Sequence, residues 1–201
     1  MKNHIKSILF TAMSLAIGFL TPMSSLGQEI NLEESYVQYT GYKNVGSMHT
    51  GKLLFSQGEL SMDDGAIAGG NFTIEIESLT NEDLKGGGRD KFLKHMKSGD
   101  FLEAETYPTA HFEISTLSQT EAGIEHSHEV TGQMTIKDVT KEVSFPANIV
   151  IDDNGILFTG FLEIDRTEFN MKWGSKNFVK NLAANRVIKD SFDLSFHIQS
   201  N

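Results

Sequence analysis

The C-terminal run of the chain alternates without a fault. Phe192, Leu194, Phe196 and Ile198 stand between Ser191, Asp193, Ser195, His197 and Gln199. A period of two puts the four apolar side chains on one face, so the segment reads as a strand with one dry and one wet side. The pattern recurs from Glu34 onward. Phe72, Ile74 and Ile76 oppose Thr73, Glu75 and Glu77, and Ala110, Phe112 and Ile114 repeat it. Val130, Met134 and Ile136 oppose Glu129, Thr131 and Gln133, while Val143, Phe145, Ala147, Ile149 and Ile151 oppose Glu142, Ser144 and Asn148. Phe158, Leu162 and Ile164 form a further run around Gly160. Pro146 falls on a polar set and marks an edge, a bulge or a local break, because it has no N–H for a ladder.

Turn signals separate these runs at hairpin spacing: Asp63-Asp64-Gly65, Lys137-Asp138-Val139-Thr140 and Asp152-Asp153-Asn154-Gly155. Asn154-Gly155 is the strongest, since both residues tolerate the positive φ of a primed turn. With residues 36–42 and 51–62 the count reaches about eight strands, at which an antiparallel sheet can close on itself. One segment breaks the period. Across residues 81–105, Phe92, Leu93 and Met96 recur at helical spacing, which predicts a short helix around residues 90–97 lying across one mouth as a partial lid. Gly86-Gly87-Gly88 before it reads as a hinge, for no G-x-x-x-x-G-K-[ST] pattern accompanies it. Residues 170–184, with Trp173 and Phe178, read as irregular.

The N-terminus reads as an address. Lys2 and Lys6 flank the start of an uncharged apolar stretch over residues 7–20, too short for the roughly 20 residues of a membrane span. Ser25 and Gly27 have signal-peptidase spacing. Residues 1–27 are therefore expected to be a signal peptide cut before Gln28, and residues 28–201 one exported domain in the periplasm or secreted. Asn71-Phe72-Thr73 matches a glycosylation sequon, a triplet common by chance.

Composition excludes several chemistries. The chain has no cysteine, which removes thiol catalysis, cysteine-ligated metals and disulfides. With 17 Lys+Arg against 27 Asp+Glu, the net charge of -10 has the wrong sign for nucleic acid or an anionic membrane surface. His126-Ser127-His128 places two imidazoles on one strand face, but zinc wants at least three protein ligands. No G-x-S-x-G elbow or spaced Ser/His set marks a nucleophile. Glu75 with Glu77 and Glu163 with Asp165 read as a solvated outer wall rather than an acid/base pair. Asp165-Arg166-Thr167 ends a strand and reads as an ion pair or turn cap before a catalytic step. His49 and His111 read as satisfied core or rim histidines.

Several fragments together resemble the YceI-like, polyisoprenoid-binding family of exported bacterial proteins. They are Thr40-Gly41-Tyr42-Lys43 followed by His49-Thr50-Gly51, residues 93–102 leading to Tyr107-Pro108-Thr109-Ala110-His111-Phe112, residues 130–143, and Ile164-Asp165-Arg166-Thr167-Glu168-Phe169. The resemblance runs from about Glu34 to Ile198. The family's central hairpin often has Gly where Asp138 stands.

The resemblance implies an all-β, eight-stranded antiparallel barrel of lipocalin-like shape, holding an isoprenoid or similar amphipathic lipid. Strand parity alone gives the container and leaves open whether side chains or a ligand fill it. With a ligand inside, Phe72, Ile74, Phe112, Ile114, Met134, Ile136, Phe145, Phe158, Leu162 and Phe196 are the expected binding residues. The expected function is binding or sequestration without catalysis, cofactor, metal or stable membrane insertion; a homodimer is compatible with it. The alternatives are an enzyme or redox accessory protein acting on a quinone-like ligand in the same barrel, and a barrel with a filled core that serves as an interaction surface.

Overall fold

The structure, a computed structural model, describes residues 26–200. The leader expected over residues 1–27 lies outside the described residues except for Leu26 and Gly27.

Nine strands form one antiparallel sheet: β1 (Leu26–Glu29), β2 (Tyr36–Lys43), β3 (Met48–Asp63), β4 (Ala66–Glu75), β5 (Thr109–Gln119), β6 (His128–Ile136), β7 (Val139–Asp152), β8 (Gly155–Asp165) and β9 (Ile188–Gln199). Each of β2 to β9 pairs with the next in sequence, and β9 pairs with β2, so eight strands close into the expected barrel. The ninth, β1, was not legible as alternation; it pairs with residues 59–62 of β3 where β2 has not yet begun. The upper half of β3 has its own cover. Thr80 N–H donates to the Lys52 carbonyl at 2.9 Å, and Glu82 N–H to the Thr50 carbonyl at 2.9 Å. An edge that would otherwise expose unpaired backbone groups is thereby closed on both sides.

The meander puts the β2–β3, β4–β5, β6–β7 and β8–β9 connections at one end, the mouth. The opposite end carries the remaining connections, the longest over residues 120–127, and is plugged by buried side chains such as Leu60, Val130, Ile156 and Ile198. Phe72, Phe112, Met134, Phe145, Phe158 and Phe196 all point inward, as strand parity requires, and all are buried. Five phenylalanines form a stack across the barrel: Phe55 to Phe72 (ring centroids 5.9 Å), Phe72 to Phe112 (6.4 Å), Phe112 to Phe145 (5.6 Å) and Phe196 (5.7 Å), and Phe145 to Phe196 (5.3 Å). These are favourable aromatic separations, each adding about 0.5–1.5 kcal/mol beyond burial.

Several local expectations need correction. Alternation in β7 fades past Ala147, where Val150 and Ile151 are both about half exposed (52% and 50%), because the strand there runs out beyond the core toward a solvated turn. The primed turn is at Asp64-Gly65, where φ is 47° and 80°; the β7–β8 hairpin turns through Asp153-Asn154, and only Gly155 is left-handed, at φ 109°. The three glycines are no hinge but the first turn of helix α1 (Gly86–Met96). Gly86 enters the helix at φ 54°, which glycine tolerates best, while Gly87 and Gly88 cost about 1 kcal/mol each relative to alanine, so packing of Phe92, Leu93 and Met96 against the core, not propensity, holds this helix. Glu77 lies beyond β4 in a 3-10 turn and pairs with Lys97 at 2.9 Å. Pro146 marks a local break, as expected: β7 pairs with β8 only from Ala147 onward. Toward the mouth the two strands part, and the 3-10 turn Arg166–Phe169 packs against β7 and β9.

Candidate functional site

Between the phenylalanine stack and α1 the barrel encloses an apolar chamber of about 500 Å³. That falls within the roughly 300–1,000 Å³ of clefts that take a small ligand. Val37 and Tyr39 of β2, Leu53 of β3, Ile74 of β4, Met134 of β6 and Leu194 of β9 supply wall residues. The roof comes from the two long mouth connections. Gly88, Lys91, Phe92, His95 and Met96 of α1 recur at three- and four-residue spacing, so one helix face closes over the chamber. From the other connection, Met171 and Trp173 reach in, and Trp173 packs edge-to-face on His95 at 4.4 Å.

Polar groups are confined to the rim. His49 Nδ1 lies 2.7 Å from Asp83 Oδ2. Burial alone would raise the Asp83 carboxyl, but contacts from His49, Thr50 N–H and Asn81 outweigh it and hold it below the ordinary carboxylate value. His49 lines the chamber with its ring against Phe92, and its Nε2 has no hydrogen-bond partner among the described residues. The Tyr39 hydroxyl donates to the Thr80 carbonyl at 2.7 Å. Burial pushes that phenol up to about 12, so it is a neutral donor.

Arg166 is buried at 3% exposure. Its guanidinium donates to the carbonyls of Lys189 (3.0 Å), Ile188 (3.3 Å) and Met171 and to Asp190 Oδ1 (3.3 Å). Desolvation lowers its pKa, Asp190 and Asp165 oppose that, and a guanidinium stays charged in either case. Asp165 caps the same turn, accepting from Thr167 N–H at 2.8 Å. The Asp165-Arg166-Thr167 step is thus the structural clamp that the sequence suggested, and it fixes the β8–β9 connection that carries Trp173.

Of the expected binding residues, Ile74, Met134 and Ile136 line the chamber. Phe72, Phe112, Phe145 and Phe196 lie one layer below, in the stack, and Ile114, Phe158 and Leu162 are buried outside the chamber lining. Val37 and Tyr39 were legible from their parity in β2 but not singled out. Phe92, Phe101 and Trp173 sit on irregular or helical segments whose inward faces no strand period reports.

No group of three or more His, Asp or Glu side chains suited to a metal occurs among the described residues. His126 precedes β6 in a bend rather than sharing a strand face with His128; it contacts Glu129 at 2.5 Å, and His128 contacts the Ser127 hydroxyl at 2.8 Å. His111 is on the outer face, between Thr73 and Thr109.

A closed antiparallel barrel with an apolar chamber and a polar rim defines a lipocalin-like binding architecture. Residues 29–200 match the YceI-like domain family, and the chain belongs to it. It is 26% identical over 190 residues to a UPF0312 protein of Vibrio parahaemolyticus, spanning 89% of this chain and 93% of the relative. A UPF0312 protein of Shewanella denitrificans is 30% identical over 140 residues, spanning 68% and 66%. Among solved structures, BcnA of Burkholderia cenocepacia superposes with a TM-score of 0.66 at 24% identity, over 84% of this chain and 98% of BcnA. A polyisoprenoid binding domain from Saccharophagus degradans superposes with a TM-score of 0.59 at 15% identity, over 86% and 98%. These two establish a shared fold.

Proposed function

We propose that this protein is an exported, non-catalytic carrier that holds an isoprenoid lipid or a similar amphiphile in the chamber, hydrocarbon inward and polar head at the rim. The observation that carries the reading is the division of the site itself: an apolar chamber of about 500 Å³ with its polar groups confined to the mouth. The polyisoprenoid-binding domain that shares the fold supports the ligand class. Burying about 15 hydrocarbon carbons at ~0.8 kcal/mol each gives roughly 12 kcal/mol gross, from which association and chain ordering subtract a large part. Binding is then useful and reversible. Residues 1–27 act as the cleaved leader that takes the protein to the periplasm or beyond.

Native mass spectrometry of protein purified from its exported fraction tests both parts. The expected spectrum shows a chain beginning at or within a few residues of Gln28, carrying an organic-extractable adduct, and it also reports whether two copies associate. Bare protein after gentle purification, with no adduct on incubation with an isoprenoid alcohol, overturns the carrier reading.

A further inference from the structure

Every lysine and arginine among the described residues lies at the mouth: in its connections, on α1, or within the first few residues of strand beside them. Lys43 ends β2, Lys189 is the second residue of β9, and Lys172, Lys176, Lys180 and Arg186 stand exposed on the β8–β9 connection. None of these six has a carboxylate within ion-pair distance among the described residues. The plugged end is the reverse. Glu33 and Glu34, Asp63 and Asp64, Glu121 and Glu125, and Asp152 and Asp153 occupy its connections with no cation. Carboxylates share the α1 side of the mouth, from Glu77 to Asp138, so the cation excess belongs to the β2–β3 and β8–β9 side of the rim, where these six cations and Arg166 are accompanied only by Asp165, Glu168 and Asp190; the composition argument against anionic surfaces does not reach that side.

Exposed apolar side chains sit among those cations. Trp173 (44% exposed), Phe178 (52%) and Val179 are on the β8–β9 connection, and Val45 (56%) and Met48 (59%) flank the β2–β3 connection. The two connections form one rim, since Asn44 N–H donates to the Val187 carbonyl at 2.9 Å. Lys172 lies over the Phe178 ring, with Nζ 5.0 Å from the centroid. Exposed apolars also occur at the plugged end, at Ile124, Val150 and Ile151, but their neighbours in sequence are Glu121, Glu125, Asp152 and Asp153 rather than cations.

We propose that the mouth rim docks on an anionic phospholipid bilayer, the lysines meeting phosphate headgroups while Trp173, Phe178 and Met48 enter the boundary between headgroups and acyl chains. Cations alone would suit any polyanion. Exposed aromatic and aliphatic groups between them gain from hydrocarbon, which favours a bilayer over a soluble polymer. Docking presents the chamber opening to the membrane, and the acidic far end is repelled, which sets the orientation. The proposal rests on the carrier reading only for its purpose; vesicle binding can be measured with the chamber empty.

Full exported protein is sedimented with phosphatidylglycerol–phosphatidylcholine vesicles and with pure phosphatidylcholine vesicles, and the fluorescence of Trp173, the chain's one tryptophan, is followed. Expected are co-sedimentation with the anionic vesicles only, a blue shift of Trp173, and weakening with salt. Replacing Lys172, Lys176 and Lys180 by glutamate should lower affinity on the order of a hundredfold. Phe178→Ser should also weaken binding; both variants alter exposed side chains, and their melting curves show whether they fold. Equal binding to both vesicle types, or binding untouched by the lysine variant, overturns the proposal. So does binding to dextran sulfate without a Trp173 shift on vesicles, which would assign the rim to soluble polyanions. An adduct in the native mass spectrum with no vesicle binding leaves the carrier reading standing and removes docking; vesicle binding without any adduct does the opposite.

Discussion

His49 Nδ1 and Asp83 Oδ2, 2.7 Å apart, join the mouth of β3 to the segment that leads into α1. The same carboxylate accepts from Thr50 N–H at 3.0 Å and from Asn81 Nδ2 at 2.7 Å, while Asn81 Oδ1 accepts from Leu84 N–H at 2.8 Å. The segment that leads into the roof helix is thus tied to the wall through one carboxylate.

The pH dependence follows from that arrangement. The Asp83 pKa is depressed in the folded protein, so its contribution is present above the unfolded value of about 3.9 and is lost as pH falls through the lower folded value. Asp83→Asn should cost roughly 1–2 kcal/mol near neutral pH and flatten the acid limb of a stability-versus-pH profile. Urea melts at a series of pH values check this; an unchanged acid limb would mean that the contact does not couple to folding.

Arg166 should be among the least replaceable side chains. Arg166→Ala takes the guanidinium from three backbone carbonyls and from Asp190 Oδ1, leaving that carboxylate with Asn177 Nδ2 at 2.7 Å, for an expected loss of about 3–5 kcal/mol. Arg166→Lys should recover only part, because an ammonium cannot reproduce the fork. Denaturant melts rank the three proteins, and equal stability of the Lys variant would refute the fork argument.

Much of the barrel was legible because each of its strands has one wet face. Residues 192–198 read without error, and Pro146 correctly marked the point where β7 leaves β8. Bulges are what alternation hides. The register of β3 against β4 slips between Phe55 and Gln57, so the inward residues pass from Leu53 and Phe55 to Gly58 and Leu60. The chamber itself was partly legible: Ile74 and Met134 obey strand parity and the helical spacing of Phe92, Leu93 and Met96 gave the lid across the mouth, whereas Phe101 and Trp173 are placed by irregular connections that carry no period. Charge segregation was invisible for a similar reason: the lysines are scattered in sequence and gathered only by the meander.

Gly51 marks where a connection crosses the wall. A Cβ there would lie 2.1 Å from the Thr80 carbonyl oxygen and 2.8 Å from the Tyr39 hydroxyl. Backbone has to move to admit it, which disturbs the Tyr39–Thr80 hydrogen bond. Gly51→Ala should destabilise by roughly 1–3 kcal/mol in a urea melt. A neutral result would show that residues 79–83 shift without cost.

Met134 separates a ligand chamber from a packed core. It is buried at 1% exposure, lines the chamber, and pairs in register with Lys141 on one side and Phe112 of the stack on the other. A thioether adapts to either surrounding, so the wild-type residue does not prejudge the answer. Met134→Trp should project into the chamber, lowering lipid occupancy while changing the stability of delipidated protein by less than about 1.5 kcal/mol. Phe145→Ala, one layer down, should behave in the opposite way: a loss of about 3–5 kcal/mol from a cavity in the stack, with occupancy of the surviving folded protein retained. Glu163→Gln on the outer face is the control. Melts paired with native mass spectrometry read both quantities. Unchanged occupancy and a large stability loss in Met134→Trp would place Met134 in a packed core and favour a barrel that acts through its surface.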